Sequence, residues 1–231
     1  LDTGRQGQLK FTENDFYVGQ DFTGNVYMRS KFEAENLVFK AMESGLDASI
    51  FRVGSLTGRY EDGHFQVNIN ENALYNRIKS IIELGVTPIG VMEQSLEMTP
   101  VDCCSEALIQ LMGIEEAYGK AFHLFNSNIL EIARLFELFE VTGINIKKID
   151  DDAFKEYIER VSVDKDKSDK LSGIVNDLNY KNELDYSSSI TVDCQITCEY
   201  LRQLGFKWPV VDGTYIKKVI KHMRDMGYLH I

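Results

Sequence analysis

The sequence predicts an α/β protein with a small helical appendage, and three observations carry that reading. Ala48-Ser49-Ile50-Phe51-Arg52-Val53 and Ala121-Phe122-His123-Leu124-Phe125 are short apolar runs of strand length. The segments around them repeat apolar residues at helical spacing. From Asp151 onward the helical pattern dominates. Residues 1–150 are therefore expected to form the α/β part, interleaved with segments of the second part. Residues 151–231 are expected to form a mainly helical subdomain.

Along the chain, residues up to about Gly24 read as loop, punctuated by Phe11, Phe16, Tyr17 and Phe22. Asn25 to Ser44 is helical, with Phe32, Ala34, Val38, Phe39 and Met42 at apolar positions and Gly45 as the stop. Ala48 to Val53 is a strand that runs into a Gly-rich turn. Arg59 to Asn68 is a polar loop, and Glu71 to Gly85 returns to helix. Pro100-Val101-Asp102 is an extended entry to a helix ending near Met112, with Asp102 or Ser105 as its cap. Ala121 to Phe125 is a second, buried strand, followed by helix over Leu130 to Thr142 and a strand over Ile146 to Ile149. The charge-rich run from Asp164 to Lys170 reads as a solvated connector. Two closing helices, near Asp193 to Leu204 and Thr214 to Met226, flank Gly205-Phe206-Lys207-Trp208-Pro209.

Composition narrows the function classes. In 231 residues, 44% apolar and 26% charged content is ordinary for a soluble globular chain. A formal charge of -11 argues against a nucleic-acid surface and against docking on an anionic membrane. No apolar run approaches the ~20 residues of a membrane span, and no signal peptide is visible. A cytoplasmic setting is expected. Cys103, Cys104, Cys194 and Cys198 make no metal pattern and read as buried or idle thiols. The chain opens on Leu1, straight into polar residues, and is expected to be a piece of something longer.

The chemistry sits in Tyr27-Met28-Arg29-Ser30-Lys31. A Tyr and a Lys four apart on a helix share a face, one turn apart. An ammonium beside a phenol favours the phenolate, and the phenol can deliver a proton to a carbonyl oxygen as hydride reaches carbon. The spacing alone is weak, because 11 tyrosines and 16 lysines produce it about once by chance. Indeed Tyr75-x3-Lys79 repeats it. Only the first copy is followed by one helix and a strand ending in Arg52-Val53-Gly54-Ser55-Leu56-Thr57-Gly58. Tyr75 and Lys79 read as a half-buried helix face.

The first copy resembles the extended short-chain dehydrogenase/reductase family, and more narrowly the thioester reductase domains that end nonribosomal peptide synthetases. Phe11-Thr12-Glu13-Asn14-Asp15 with Tyr17-Val18-Gly19-Gln20 is similar to the lead-in of those domains, and Asn25 to Glu35 to their Tyr-x-Arg-Ser-Lys helix. Arg52 to Gly58 is similar to the loop laid against the nicotinamide. Asp62 to Asn68, Thr99-Pro100-Val101-Asp102 and Leu204 to Pro209 extend the likeness over nearly the whole chain. The resemblance implies a partial Rossmann-like fold with a C-terminal helical subdomain for substrate or carrier. It implies Tyr27 as proton donor and Lys31 as its partner and binder of the nicotinamide ribose. Val53, Gly54, Ser55 and Leu56 would pass the nicotinamide, with Gly54 permitting close backbone approach. The implied substrate is an acyl or peptidyl thioester on a carrier-protein phosphopantetheine arm. It would be reduced through a hemithioacetal to an aldehyde, and in a second round to the alcohol.

Two features depart from the family pattern. No Gly-x-x-Gly-x-x-Gly follows a strand near the N-terminus. The carbonyl-holding Ser or Thr should lie upstream of Tyr27, and Thr3, Thr12 and Thr23 lack its context. The chain is thus expected to be the C-terminal portion of a reductase domain, inactive alone, with the upstream Rossmann half and synthetase modules as partners. NADPH is the expected cofactor, with NADH open because the adenosine-side residues lie elsewhere. Competing functions are an extended reductase acting on a nucleotide sugar or fatty acyl-CoA, and a non-catalytic carrier-docking fragment. Other residues invite smaller roles. His64 reads as a loop residue near the site, His123 as packed core, Asp150-Asp151-Asp152 as a helix-dipole complement, and Trp208-Pro209 as a packing anchor.

Overall fold

The computed structural model describes residues 9–22, 25–164, 168–174 and 190–230. In chain order the elements are β1 (Leu9–Phe11), α1 (Val26–Glu43), β2 (Ile50–Val53), β3 (Leu56–Thr57), α2 (Ala73–Leu84), β4 (Val86–Pro88), β5 (Ser95–Leu96), β6 (Thr99–Pro100) and α3 (Val101–Met112). They continue as β7 (Ala121–Leu124), β8 (Leu130–Glu131), α4 (Ile132–Val141), β9 (Lys147–Ile149), α5 (Asp151–Ser162), β10 (Ile190–Val192), α6 (Gln195–Gln203) and α7 (Gly213–Asp225). The α/β class is as expected, with pairs β1–β10, β2–β7, β3–β6 and β4–β9 parallel and β5–β8 antiparallel.

The chain divides into two units, each built from separated segments. One comprises the described residues up to Gly54, Cys103–Ser127 and those up to Trp208. The other comprises Ser55–Asp102, the described residues between 128 and 174, and those from Pro209. Residues beyond 150 contribute to both.

In the first unit β2 and β7 run in register from Ile50 opposite Ala121 to Val53 opposite Leu124. All four residues of β7 are buried, whereas β2 is half-buried and ends exposed at Val53. Phe51 stacks on Phe122 at 5.6 Å, and Tyr200 of α6 meets Phe122 edge-on at 5.5 Å. The N-terminal loop is more structured than its composition suggests, since Leu9–Phe11 pairs with Ile190–Val192. Its aromatic residues also hold α1, with Phe16 stacking on Phe32 at 4.4 Å and Phe22 lying 4.8 Å from the same ring. Trp208 is buried against Phe206 in an edge-to-face contact at 5.0 Å.

The second unit holds the larger apolar core, with Tyr75, Ile78 and Ile82 from α2, Phe136 and Phe139 from α4, Phe154 from α5, and Ile216, Ile220 and Met223 from α7. Local chemistry sets the helix ends. Asn72 accepts the Tyr75 amide at 3.1 Å and Asp212 accepts that of Tyr215 at 2.8 Å, while Gly85 closes α2 in the left-handed region at φ 67. Asp150 caps α5 through the Asp152 amide, with Asp151 and Asp152 in the first turn, as the dipole argument expects. Asp102 is a correction. The helix starts at Val101, placing Asp102 in its first turn, where the carboxylate accepts the amides of Tyr60 and Glu61 at 2.8 and 3.2 Å. The 164–170 connector falls partly outside the described residues, as do Thr3 and Thr23.

Candidate active site

Asn25 begins α1 by accepting the Met28 amide at 3.0 Å, which sets Tyr27 in the first turn and Lys31 one turn on. Lys31 Nζ lies 5.3 Å from the centroid of the Tyr27 ring. Tyr27 is 68% exposed, and Arg29 is occupied with Glu33 at 2.7 Å, so the ammonium and the phenol share a solvent-facing patch. In such a setting a cation over a ring is worth about 0.5–1 kcal/mol, enough to bias rotamers and too little to lock them. The patch can present one proton donor and up to three ammonium hydrogens to a ligand.

Val53 and Gly54 close the first unit and Ser55 and Leu56 open the second. The Gly54 amide donates to Leu124 O at 2.9 Å, so the strand pairing extends one residue past β2. The Ser55 amide donates to Glu97 Oε2 at 2.5 Å and its carbonyl accepts from the Thr99 amide at 3.0 Å. The Glu97 carboxylate also accepts from the Thr99 hydroxyl. Nothing in the sequence pattern singled out Glu97.

Behind this loop Tyr75 corrects the sequence reading. It is fully buried rather than half-buried, and its phenol oxygen accepts the Gly58 amide at 2.8 Å. Tyr215 donates to Gly58 O at 2.7 Å and lies 2.7 Å from Thr57 Oγ1. Two buried phenols therefore hold Gly58, one at its amide and one at its carbonyl. Burial drives the Tyr75 phenol far above its ordinary range, so this second Tyr-x3-Lys copy carries a hydroxyl held for packing. Lys79 lies over the Tyr228 ring at 4.6 Å. His64 is exposed, 3.2 Å from Asp62, with its ring 4.7 Å from that of His222. The His64 amide, and Arg59 beside it, hold the Asp62 carboxyl down at about 2.

The first unit contains a polar network that sequence reasoning missed. Arg52, on β2, donates to Glu35 of α1 (Nε to Oε1, 2.9 Å), to Asp15 O at 2.7 Å, to Thr12 O at 3.5 Å and to His123 Nε2 at 2.9 Å. A guanidinium only donates, so His123 must accept at Nε2 and carry its proton on Nδ1, which faces Asp193 O at 2.5 Å. The His123 amide donates to Thr197 Oγ1, and Thr197 in turn donates to the buried Glu13 from its amide (2.8 Å) and hydroxyl (2.9 Å). Arg52 thus ties the helix bearing Tyr27 and Lys31 to the strand leading to Gly54. The available signal was a lone arginine in an otherwise apolar strand.

Burial, with Arg52 alongside, holds His123 below 6.5, and burial with His64 nearby does the same for His222. Both imidazoles stay neutral in the folded chain at a pH where the unfolded chain already binds the proton. Their contribution to stability is complete above pH about 6.5 and is lost as pH falls from there through the folded values. The urea midpoint is expected to drop between pH 8 and 5.5, with both ring resonances titrating below 6.5. A flat midpoint over that range would contradict the neutral, accepting role of His123.

Residues 8–108 match the NAD-binding family described as "Male sterility protein". Over 89% of its length the chain is 27% identical to a linear gramicidin synthase of Brevibacillus parabrevis, covering 4% of that protein. A thiolation-reductase di-domain from an archaeal nonribosomal peptide synthetase superposes over 96% of the chain and 45% of its own, at 28% identity and TM-score 0.81. The chain is homologous to synthetase reductase domains. The terminal R domain of the myxalamid PKS-NRPS pathway shares the homologue's fold over 99% of the chain and 56% of its own, at 23% identity and TM-score 0.80. This reductase-domain homologue therefore spans about half the length of the solved chains it matches. It has an extended short-chain dehydrogenase/reductase fold, and its residues 8–108 resemble an NAD-binding domain. Among its described residues no helix is long and apolar enough to cross a membrane, and no group of three or more His, Cys, Asp or Glu could hold a metal ion.

Proposed function

We propose that the chain is the proton-donating and substrate-side portion of an NAD(P)H-dependent reductase that releases a carrier-bound acyl or peptidyl thioester as an aldehyde. The observation that carries the reading is the exposed Tyr27 and Lys31 pair on one face of α1. The donor set fits a nicotinamide nucleoside, with an ammonium for ribose hydroxyls, a phenol at reaching distance and a glycine at the strand end. When bound, the dinucleotide supplies the hydride. Lys31 would hold the ribose hydroxyls through its ammonium. Tyr27 gives its proton to the substrate carbonyl oxygen as that oxygen gains charge. The resulting hemithioacetal loses the phosphopantetheine thiol to leave the aldehyde, and a second round gives the alcohol. Val53, Gly54, Ser55 and Leu56 would hold the nicotinamide. NADPH is the favoured cofactor. The partners are the upstream Rossmann half, a peptidyl carrier protein and the synthetase modules, in a cytoplasmic setting. The likeness to synthetase relatives favours this over nucleotide-sugar or acyl-CoA substrates.

The deciding experiment joins the chain to its natural upstream half and follows NADPH oxidation with a phosphopantetheinyl peptide thioester, beside the isolated chain. Turnover by the joined protein alone is expected. NADPH binding without turnover moves the reading to another substrate class. Absence of NADPH binding in the joined protein ends the reductase reading in favour of carrier docking.

A further inference from the structure

The first turn of α6 carries two thiols that the reductase chemistry leaves unused. Cys194 stands at the N-cap position without a side-chain cap bond, and Cys198 sits one turn on, its amide donating to Cys194 O at 2.8 Å. The two Sγ atoms are 3.4 Å apart and both side chains are partly open to solvent. That separation is a sulfur–sulfur hydrogen-bond contact in which either thiol can donate. One proton shared between two sulfurs makes them unequal, and the inequality has a direction. The Cys194 thiol and then the Ser127 hydroxyl favour the Cys198 thiolate, holding it at about 7, while Cys194 is pushed up out of the thiol range. The carboxylates of Glu13 and Asp193 face the pair and oppose ionisation, Asp193 being itself occupied by Lys10 at 2.7 Å. The positive end of the helix adds to the bias toward a thiolate.

We propose that Cys194 and Cys198 form a dithiol that exchanges with low-molecular-weight disulfides, Cys198 attacking and Cys194 resolving. Two sulfurs alone make a poor metal site, and no third His, Cys, Asp or Glu joins them among the described residues. The geometry suits closure of a bond between them. Helical residues four apart have Cα atoms about 6 Å apart, inside the roughly 4.4–6.8 Å span of disulfides. Cys194, at φ -127, lies outside the regular helix and can adjust. In the first step the Cys198 thiolate bonds to one sulfur of the small disulfide and the other leaves as a thiolate. In the second, Cys194 gives its proton to that thiolate and its sulfur attacks Cys198, expelling the second small thiolate. The chain loses two electrons and the small disulfide gains them, leaving as one thiol and one thiolate that takes its proton from water. The loop so closed encircles Thr197, the residue that joins Glu13 to His123.

The test treats the whole chain with glutathione disulfide at pH 7 and maps its peptides by mass. The wild type is expected to lose two hydrogens in the peptide holding both cysteines and to keep no glutathione there. C194S is expected to retain one glutathione on Cys198. C198S is expected to react at Cys194 at least about tenfold more slowly, as a protonated thiol does. Differential alkylation of the wild type needs no variant and is expected to label Cys198 before Cys194, with a rate midpoint near pH 7. Equal labelling of the two thiols would overturn the assignment of roles, and so would equal rates for the two variants. A mixed disulfide that persists in the wild type would overturn the resolving step.

Discussion

Tyr27→Phe in the intact domain is expected to lower turnover by roughly 10²–10⁴-fold, the usual worth of a positioned proton donor, with the fold unchanged. The structural half of this expectation rests on exposure. Tyr27 is 68% open to solvent, and α1 is held elsewhere, by Phe32 against Phe16 and Phe22 and by Glu35 on Arg52. Removing one hydroxyl takes no packing with it. The substitution leaves Lys31 without its phenol, so nicotinamide affinity should persist while the chemical step fails. Lys31→Ala should weaken both. Steady-state NADPH oxidation, with circular dichroism and a thermal midpoint on the same samples, separates these outcomes. Near-wild-type rates for Tyr27→Phe would assign the proton to another group.

Arg52→Ala is expected to cost about 3–5 kcal/mol of stability, the range for breaking one side of a buried ion pair. Its side chain is 15% exposed and that of Glu35 19%, so solvent does little to rescue the orphaned carboxylate. The same change leaves the Asp15 carbonyl and His123 Nε2 without the guanidinium donor, while Thr12 O keeps the Asp15 amide. Arg52→Lys keeps the charge but not the fork that reaches several acceptors at once, and should recover only part of the loss. Urea unfolding of both variants measures this. A loss under about 1 kcal/mol for Arg52→Ala would mean the pair behaves as a surface ion pair.

Most of the helices were legible because their periodicity and their punctuation agree. Gly45 and Gly85 lie just past α1 and α2, both with positive φ, and Asn25 and Asn72 stand where a cap is needed. Strands of two or three residues such as β3, β5, β6 and β8 were not legible, since so short a run has no period to read. The cap at Asp102 was misread for a related reason. An acidic residue near a helix start suits both a cap and a first-turn position, and here it serves the amides of Tyr60 and Glu61. Tyr27 and Lys31 were legible as a pair because four-residue spacing puts them on one face whatever surrounds them. Glu97 on the Ser55 amide and Arg52 on Glu35 join positions 42 and 17 residues apart, a kind of contact no local pattern encodes.

None of the 18 residues of α1 is buried, whereas six of the 13 in α7 are. Free energy of local opening follows such differences, so among the described helices α1 is the least restrained by burial and α7 one of the most. In the role proposed for it, Tyr27 on so exposed a helix would reach its working orientation as a ligand or neighbouring chain settles on that side. Recognition and alignment of the acid then become a single thermodynamic event, and part of the binding free energy appears as rate rather than as affinity.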